Sequence, residues 1–349
     1  MTERHSETAP ASPPPRRRIT RQEQEPASGE VTEVTPGVLR MQLPIWMPGL
    51  GHVNMYGLVD DRGVALVDPG LPGPRSWSTL KRRLRSAGFE FRHVHTVVVT
   101  HSHPDHYGAA GHVVKKTGAR LVTHCAFETF AEASPPLGPS EAADAEREAA
   151  ALAALLGVEN DVPPEDFLPS SGAAAGPFSN PTPWGEAQSN RWRMRGVILR
   201  AFRRLFIAPR PTHRVRNDDV VTLAGREWRA VYTPGHTPDH LCLFDPDSGA
   251  LLSGDHVLPT ITPHISGMAE GFDTLGAYLA TLDHVAKLPD VGVGLPAHGH
   301  PFDDVPGRVA DITAHHVERM EKLAAAGEAL GPATVRSLSR ELFPERHWG

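Results

Sequence analysis

Four potential metal ligands lie close together in the stretch THSHPDHYGAAG, residues 100–111, directly after the apolar run TVVVT. They are His101, His103, Asp105 and His106. Residues two positions apart on an extended segment project to the same side, so His101 and His103 share one direction. Asp105 and His106 begin the next turn and face a second point. This spacing favours two adjacent ions over one.

The types of these side chains indicate which ions would bind. Imidazole nitrogens and carboxylate oxygens suit zinc and similar divalent ions, whereas a thiolate-preferring site would need cysteines. The chain contains 20 histidines, and a lone histidine after a strand is usually a surface or core residue. Four ligand-type residues within six positions have no comparable packing explanation. We therefore predict a metal site here.

Four further stretches place an Asp or His at the end of an apolar run, beside Gly or Pro. ALVDPG ends with Asp68, YTPGHTPDH offers His236, LLSGDH offers Asp255, and GLPAHGH offers His298. Taken alone, the two aspartates could be ordinary turn or cap residues. Loops at strand ends are where a layered fold gathers its functional residues. Together with the dense cluster, these four residues are predicted to join the same site.

The elements that must position these residues form an α/β pattern. Short β-type runs begin near residue 36, and helical stretches are predicted at 75–87, 107–116 and 273–288. The run HLCLFDPDSGALLSGD is typical of a hairpin, because DPDSG is turn chemistry. Two halves that each run from strands into helices predict an α/β sandwich, with sheets inside and helices outside.

Composition divides the chain into three predicted parts, the second of which contains an insertion. Residues 1–32 are rich in Pro, Ser, Glu and Arg and are expected to be a disordered tail. Residues 33–304 form the expected catalytic domain, in which the β pattern stops at about 127–216 and predicts an inserted helical lid. Residues 305–349 contain two helical segments and are expected to form a C-terminal appendage.

The predicted lid has opposite charges in its two parts. Residues 128–166 carry ten acidic residues and one Arg, whereas residues 191–216 carry nine Arg and no acidic residue. Apolar spacing in RWRMRGVILRAFRRLF, residues 191–206, predicts a helix with an exposed arginine face. This face either pairs with the acidic part or recognises an anionic substrate portion, with Arg193 and Arg200 as contacts. Such a portion would be a phosphopantetheine or CoA tail, or an RNA backbone.

Overall composition excludes several classes of protein. The net charge of -6 and the pI near 6.4 argue against a surface built for nucleic acid. Cys125 and Cys242 are too few for a disulfide framework. No secretory h-region is present, and no apolar run approaches the roughly 20 residues that a membrane span needs. We therefore expect a cytoplasmic protein without a membrane partner, whose oligomeric state the sequence leaves open.

At this point the ordered motifs resemble those of the metallo-β-lactamase superfamily, over roughly residues 36–300. The resemblance implies an αββα metallo-β-lactamase sandwich with a helical insertion, a short C-terminal helical appendage and a dinuclear site between the sheets. It implies one ion held by His101, His103 and His236, a second held by Asp105, His106 and His298, and Asp255 bridging both. Asp68 would orient a ligand and its loop, and Asp105 would orient the attacking hydroxide and handle its proton.

Branches of this family differ at positions that the sequence shows. The flavodiiron branch has Glu where His103 stands, true β-lactamases commonly have Cys where Asp255 stands, and the β-CASP nucleases carry their insertion after the fourth motif. The glyoxalase-II-like hydrolases and a lactamase-like branch with a winged-helix appendage remain. Here the chain ends at FPERHWG, which leaves room only for an incomplete winged helix or a helical cap. His264 is a further possible substrate contact, although a loop histidine is structural by default.

Three functions follow from these patterns. The first is a zinc-dependent hydrolase that cleaves an ester, thioester or lactone with a metal-bridging hydroxide, acting on a small acyl or thioester substrate. The second is a metal-dependent endoribonuclease that uses the arginine face for the RNA backbone. The third is a binding module with a structural metal, which the carboxylate-rich ligand set disfavours. Two Zn²⁺ ions are expected, and Mn²⁺ or Fe²⁺ would accept the same ligands.

Overall fold

The computed structural model describes most of the chain outside the predicted lid. The described residues are 21–47, 49–129, 207, 210–265 and 273–343, together with 143, 144, 147, 150, 151 and 154. The predicted arginine-rich helix at 191–206, with Arg193 and Arg200, lies outside the described residues. Among the described residues, no helix is both long and apolar enough to cross a membrane.

The first sheet has seven strands in sequence order. They are β1 Val31–Thr35, β2 Val38–Met47, β3 Leu50–Asp60, β4 Gly63–Val67, β5 Val94–Val98, β6 Arg120–His124 and β7 His213–Val215. Strands β1 to β4 pair antiparallel, and β4 to β7 pair parallel. The parallel strands end at the same edge, which is the edge that carries the HxHxDH loop.

The second sheet has five strands in the order β12-β11-β10-β9-β8. They are β8 Val220–Leu223, β9 Arg226–Tyr232, β10 Leu241–Asp245, β11 Ala250–Gly254 and β12 Val293–Pro296. The predicted hairpin is present as the antiparallel pair β10 and β11, and β12 adds parallel to β11. Since β9 and β11 both run antiparallel to β10, the strands β9, β11 and β12 end at one edge.

Six α-helices lie within the continuous described ranges, and residues 143, 144, 147, 150, 151 and 154 are helical as well. The six are α1 Pro74–Ser86, α2 Pro104–Tyr107, α3 Ala110–Thr117, α4 Thr274–Ala286, α5 Val305–Leu330 and α6 Val335–Leu342. The single helix predicted at 107–116 is instead the pair α2 and α3, and α2 begins earlier because Pro104 suits a first helical position. Side chains of Asp273, Asp304 and Thr334 cap the last three helices at their N-termini.

Alternating apolar residues on the strands create three separate apolar layers. On β5, Val97 faces the helices α1 and α3, whereas Val98 faces the second sheet. On β10, Leu243 faces the first sheet, whereas Cys242 and Phe244 face α4 and α5. Because side chains on a strand point alternately to its two faces, each sheet packs on both sides. The architecture is therefore the predicted αββα sandwich.

Two predicted boundaries are wrong. Residues 21–32 are not a disordered tail, because Glu23 is fully buried and β1 begins at Val31. The lid was predicted to extend to 216, yet β7 within that range pairs with β6 and belongs to the first sheet. A three-residue strand is too short for apolar periodicity to reveal.

Candidate metal centre

The seven predicted ligands come from the ends of strands in both sheets and from the helix after β5. The loop after β5 and the first turn of α2 carry the HxHxDH residues of the first sheet. In the second sheet, His236 follows β9, Asp255 follows β11 and His298 follows β12. Short loops at strand ends hold side chains on a rigid scaffold. The structure brings all seven residues together at one edge of the sandwich.

The first group consists of His101, His103, His236 and Asp255, whose potential ligand atoms all lie within 4.8 Å of one another. The His103 Nδ1 atom lies 3.0 Å from the Nε2 atoms of both His101 and His236. The Asp255 Oδ2 atom lies 3.3 Å from His236 Nε2 and 3.8 Å from His101 Nε2. Three imidazoles and a carboxylate thus converge on one point.

The second group consists of Asp105, His106 and His298. The Asp105 Oδ2 atom lies 3.6 Å from His106 Nε2 and 3.5 Å from His298 Nε2. Asp255 also reaches this group, because its Oδ2 lies 3.5 Å from His106 Nε2 and its Oδ1 lies 3.3 Å from His298 Nε2. The Asp255 carboxylate therefore stands between the two groups, in the place predicted for a bridging ligand.

Hydrogen bonds behind the imidazoles of the HxHxDH loop select which nitrogen is left to bind metal. His106 donates through Nδ1 to Asp68 Oδ2 at 2.8 Å, which leaves its Nε2 as the free ligand atom. The Thr100 hydroxyl donates to the same Asp68 oxygen at 2.7 Å, so its oxygen accepts from His101 Nδ1 at 3.0 Å. Both tautomers are thus fixed by groups outside the cluster.

The two imidazoles of the second sheet are held through backbone carbonyls. His236 donates through Nδ1 to the carbonyl of His264 at 2.7 Å. His298 donates through Nδ1 to the carbonyl of His52 at 2.6 Å. Each ring is left with a free Nε2 that points at the cluster, as metal-binding histidines require.

The residues present fit divalent metal ions. His106 Nε2, His298 Nε2 and Asp255 Oδ1 are buried and have no hydrogen-bond partner among the described residues. Buried polar atoms are normally satisfied, so unpartnered polar atoms that converge at one point call for a ligand. Imidazole and carboxylate donors are those that zinc, manganese and iron accept.

Burial and mutual charge shift the pKa values of the ligands. Burial, followed by the neighbouring imidazoles, holds the pKa of His101 well below its ordinary value. Burial alone would lower the pKa of His106, but the carboxylates of Asp255 and Asp105 raise it well above that value. Burial would raise the pKa of Asp255, yet His298 and His106 hold it well below its usual range. The carboxylate at the centre is therefore ionised and able to bind a cation.

The sequence predictions for substrate contacts have a different outcome. The His264 backbone carbonyl accepts a hydrogen bond from His236 Nδ1, and the residue as a whole is exposed. Its role as a substrate contact stays a prediction. Arg193 and Arg200 lie outside the described residues, and their role also stays a prediction.

Sequence reasoning missed several residues that support the cluster. His240 is fully buried, and its Nε2 accepts a hydrogen bond from the backbone amide of Asp255 at 3.0 Å. Asp239 accepts a hydrogen bond from the hydroxyl of Ser102 at 2.9 Å and so ties the His236 loop to the HxHxDH loop. The stretch GHTPDH contained the available signal, because Asp239 and His240 follow the predicted ligand His236 by three and four positions.

Comparisons with a family model and with solved structures agree on the family of this chain. The family model described as the metallo-beta-lactamase superfamily matches residues 48–302. A crystal structure of a metallo-beta-lactamase family protein from Thermus thermophilus is 28% identical, with a TM-score of 0.64, and the alignment covers 89% of each chain. A beta-lactamase domain protein from Burkholderia ambifaria is 26% identical, with a TM-score of 0.62, over 92% of this chain and 86% of the other.

Curated relatives match over shorter stretches. A lactamase-like protein of Aspergillus fumigatus is 29% identical over an alignment of 147 residues that covers 37% of this chain and 41% of the fungal protein. A lactamase-like protein of Aspergillus niger is 36% identical over 104 residues, which are 30% of each chain. The aligned part of this chain thus spans less than half the length of these fungal proteins.

Proposed function

The chain belongs to the metallo-β-lactamase superfamily, and from this premise we propose that it is a hydrolase that uses two divalent ions, preferably zinc, to cleave a thioester, ester or lactone. The observation that carries the proposal is the position of Asp255 between two groups of ligands, within 3.8 Å of four imidazole nitrogens. Family membership supports a metal-dependent hydrolase. The number and identity of the ions and the substrate class go beyond family membership and are proposed here.

In this proposal each group holds one ion. His101, His103 and His236 would hold the first, and Asp105, His106 and His298 the second, with Asp255 shared between them. When bound, two such ions lower the pKa of a shared water toward neutrality and polarise the bond that it attacks.

Side chains of this protein supply the negative charge, the proton transfer and the ligand orientation that the reaction also requires. Asp255 keeps its negative charge beside the imidazoles and so offsets part of the charge of two cations. The Asp105 carboxylate lies at the side of the second group, where it would orient the attacking water and accept its proton for delivery to the leaving group. The Asp68 carboxylate holds the His106 ring in place, since it accepts the Nδ1 proton.

The substrate class is proposed from the reacting atoms rather than from a pocket. An acyl carbonyl attacked by hydroxide becomes an oxyanion, and a divalent cation at that point stabilises it. Thioesters are our first choice, because the thiolate is a good leaving group that does not need a strong general acid. The related fungal proteins are called lactamase-like, so a β-lactam belongs in the same substrate panel.

The first experiment compares wild type with Asp255→Ala for metal content and for hydrolysis of a thioester, an ester, a lactone, a β-lactam and a single-stranded RNA. We expect about two ions in wild type, fewer in the variant, and thioester cleavage that is lost together with the metal. Asp283→Ala is the control, because Asp283 is an exposed aspartate on α4 and belongs to neither ligand group. Circular dichroism shows whether each variant is folded.

Each outcome leads to a definite conclusion. RNA cleavage without cleavage of any acyl compound would replace the proposed substrate class by phosphodiesters. Metal-loaded wild type that turns over no substrate in the panel would favour a binding module. Wild type that takes up no divalent ion would overturn the proposal.

A further inference from the structure

We propose that residues 21–30, named here the N-terminal strap, position the metal centre, and that Glu23 is the residue through which they orient His236. The strap contains a short 3₁₀ helix, Gln22–Gln24, and precedes β1. Its contacts lead to one ligand from each metal group. It is therefore proposed as a positioning element for both ions, independent of which substrate the centre cleaves.

The Glu23 side chain is buried in a cradle of donors. Its exposed fraction is 0%. Its Oε1 atom accepts hydrogen bonds from the backbone amides of Thr260 at 2.8 Å and Ile261 at 3.1 Å, and its Oε2 atom accepts from the Thr260 hydroxyl. A buried carboxylate is costly unless it is hydrogen-bonded, so three donors at one carboxylate indicate a specific attachment point.

The segment attached to Glu23 is the loop that orients His236. This loop, residues 258–264 and named here the support loop, ends with the His264 carbonyl that accepts from His236 Nδ1 at 2.7 Å. Arg308 on α5 also holds this loop, since it donates to the carbonyls of Leu258 at 2.6 Å and Ile261 at 2.8 Å. The support loop is thus held both by the Glu23 carboxylate and by the Arg308 guanidinium.

The strap also reaches the loop that carries His298. The carbonyl of Glu25 accepts a hydrogen bond from His52 Nδ1 at 2.8 Å, and His52 Nε2 accepts from the amide of Gly299 at 3.1 Å. The carbonyl of His52 in turn accepts from His298 Nδ1 at 2.6 Å. One imidazole of the second metal group is therefore oriented through a residue that the strap holds.

Two side-chain contacts reinforce this second connection. The amide of His300 donates to Gln22 Oε1 at 3.1 Å, and His300 Nε2 lies 2.8 Å from Glu25 Oε2. A Cβ atom on Gly51 would lie 2.1 Å from the Glu25 carbonyl, so the strap could not approach β3 this closely if residue 51 were larger. The close packing of the strap on β3 therefore depends on the absence of a side chain at residue 51.

The far end of the strap is anchored to α1. Arg83 is almost fully buried and donates to the carbonyls of Ser28 at 2.5 Å and Gly29 at 3.2 Å, and to the carbonyl of Gln42 on β2 at 2.9 Å. The strap is consequently fixed at both ends. Changing Glu23 releases the support loop without detaching the strap from the first sheet.

The test compares zinc affinity in four variants of the full chain. Glu23→Ala leaves three donors of the support loop without an acceptor, Glu23→Gln keeps one acceptor oxygen, and Thr260→Val removes a single donor. Glu30→Ala is the matched control, because Glu30 is an exposed carboxylate in the same strap. Zinc-free proteins are titrated against a chromophoric chelator, and the unfolding temperature of each is measured without zinc.

We expect Glu23→Ala to weaken binding of at least one zinc ion by about ten- to a hundredfold, the range for residues that orient metal ligands. Glu23→Gln should recover part of that loss, and Glu30→Ala should bind as wild type does. Unchanged affinity for both ions in a folded Glu23→Ala protein, or an equal loss in Glu30→Ala, would overturn the proposal. If Glu23→Ala does not fold, the two conservative variants decide, and wild-type affinity in both overturns it.

This test separates the positioning role from the proposed reaction. Zinc affinity is read without a substrate, so a protein that cleaves no thioester still reports on the strap. A variant that lowers the unfolding temperature of the zinc-free protein but keeps both affinities would show a structural role only, which also contradicts the proposal.

Discussion

Asp68 and His106 form a buried pair, in which the His106 Nδ1 proton is donated to the Asp68 carboxylate over 2.8 Å. The same carboxylate accepts hydrogen bonds from the amide and the hydroxyl of Thr100 at 2.9 and 2.7 Å. Since the Thr100 oxygen also faces His101 Nδ1, one carboxylate sets the orientation of an imidazole in each metal group. Both metal groups therefore require Asp68 to accept these hydrogen bonds.

Asp68→Asn should weaken zinc binding by about ten- to a hundredfold, because the amide nitrogen turns one acceptor into a donor. His106 would then favour a proton on Nε2, the atom that must bind metal. Chelator competition on the zinc-free protein measures the change. Asp290→Asn is the control, since Asp290 has the same backbone φ of 53° as Asp68 but is exposed. Equal affinity in the Asp68 and Asp290 variants would contradict the role assigned to the pair.

Gly254→Ala should lower both stability and zinc affinity. The Gly254 φ is 51°, and a Cβ atom there would lie 2.6 Å from His240 Nε2, which accepts from the amide of Asp255. We expect a loss of about 1–3 kcal/mol in the free energy of unfolding, typical of an overpacked buried site. Urea unfolding of the zinc-free protein measures it.

The control for that change is Gly225→Ala. Gly225 has a φ of 70°, but an added Cβ atom meets nothing within 4 Å. This variant carries the backbone strain alone, and its zinc affinity should equal that of wild type. If both alanine variants lose the same stability and neither loses zinc, the contact with His240 has no effect on the centre.

Asp239→Asn should stabilise the zinc-free protein at neutral pH. Burial raises the pKa of Asp239 to about 6, from 3.8 in an unfolded chain. The folded state therefore holds a proton that the unfolded state has lost, and wild type loses stability as pH rises from about 4 to about 6. Asparagine removes this loss and can still accept from the Ser102 hydroxyl.

The gain from Asp239→Asn should be small near pH 4 and reach at most about 3 kcal/mol above pH 6, from about two pKa units. Urea unfolding of both proteins at several pH values between these limits measures it. A difference that stays constant with pH, or that grows as pH falls, would show that the ionisation of Asp239 does not oppose folding.

Removing metal should lower the unfolding temperature of the wild-type protein. A ligand present at about one hundred times its dissociation constant stabilises the native state by about 2.7 kcal/mol for each site. Thermal unfolding with added zinc and with excess EDTA should therefore differ by several degrees. Asp255→Ala should show a smaller difference, since it lacks the shared carboxylate. Coincident unfolding curves for wild type would argue against a bound metal.

Much of the metal centre was predictable, because its signals are local in sequence. His101, His103, Asp105 and His106 lie within six positions, and Asp255 and His298 follow apolar runs that contain Gly or Pro near their ends. Loops at strand ends are where a layered fold gathers functional residues, and the resemblance to the metallo-β-lactamase superfamily supplied the grouping of these ligands. The layered fold was predicted from two halves that each run from strands into helices.

The supporting contacts were not predictable, because they join residues far apart in the chain. Glu23 lies in a polar segment whose composition indicates disorder, and the Thr260 donors that satisfy it are 237 positions away. The three residues of β7 are too few to show the apolar alternation of a strand, so the prediction included them in the lid. A local sequence pattern depends only on the residues of one helix or strand. The burial of a charged side chain depends instead on partners that the folded chain brings to it from distant positions.

The ligands are divided between the two sheets, and this division affects the order in which the protein matures. His103 and His236 lie 133 positions apart in sequence, although their nitrogens are 3.0 Å apart. Both metal groups draw on both halves, since the HxHxDH loop follows β5 whereas His236 and His298 follow β9 and β12. A newly made first half therefore carries neither complete set of ligands. Both ligand groups are complete only when the second half packs against the first, so the site forms together with the finished sandwich.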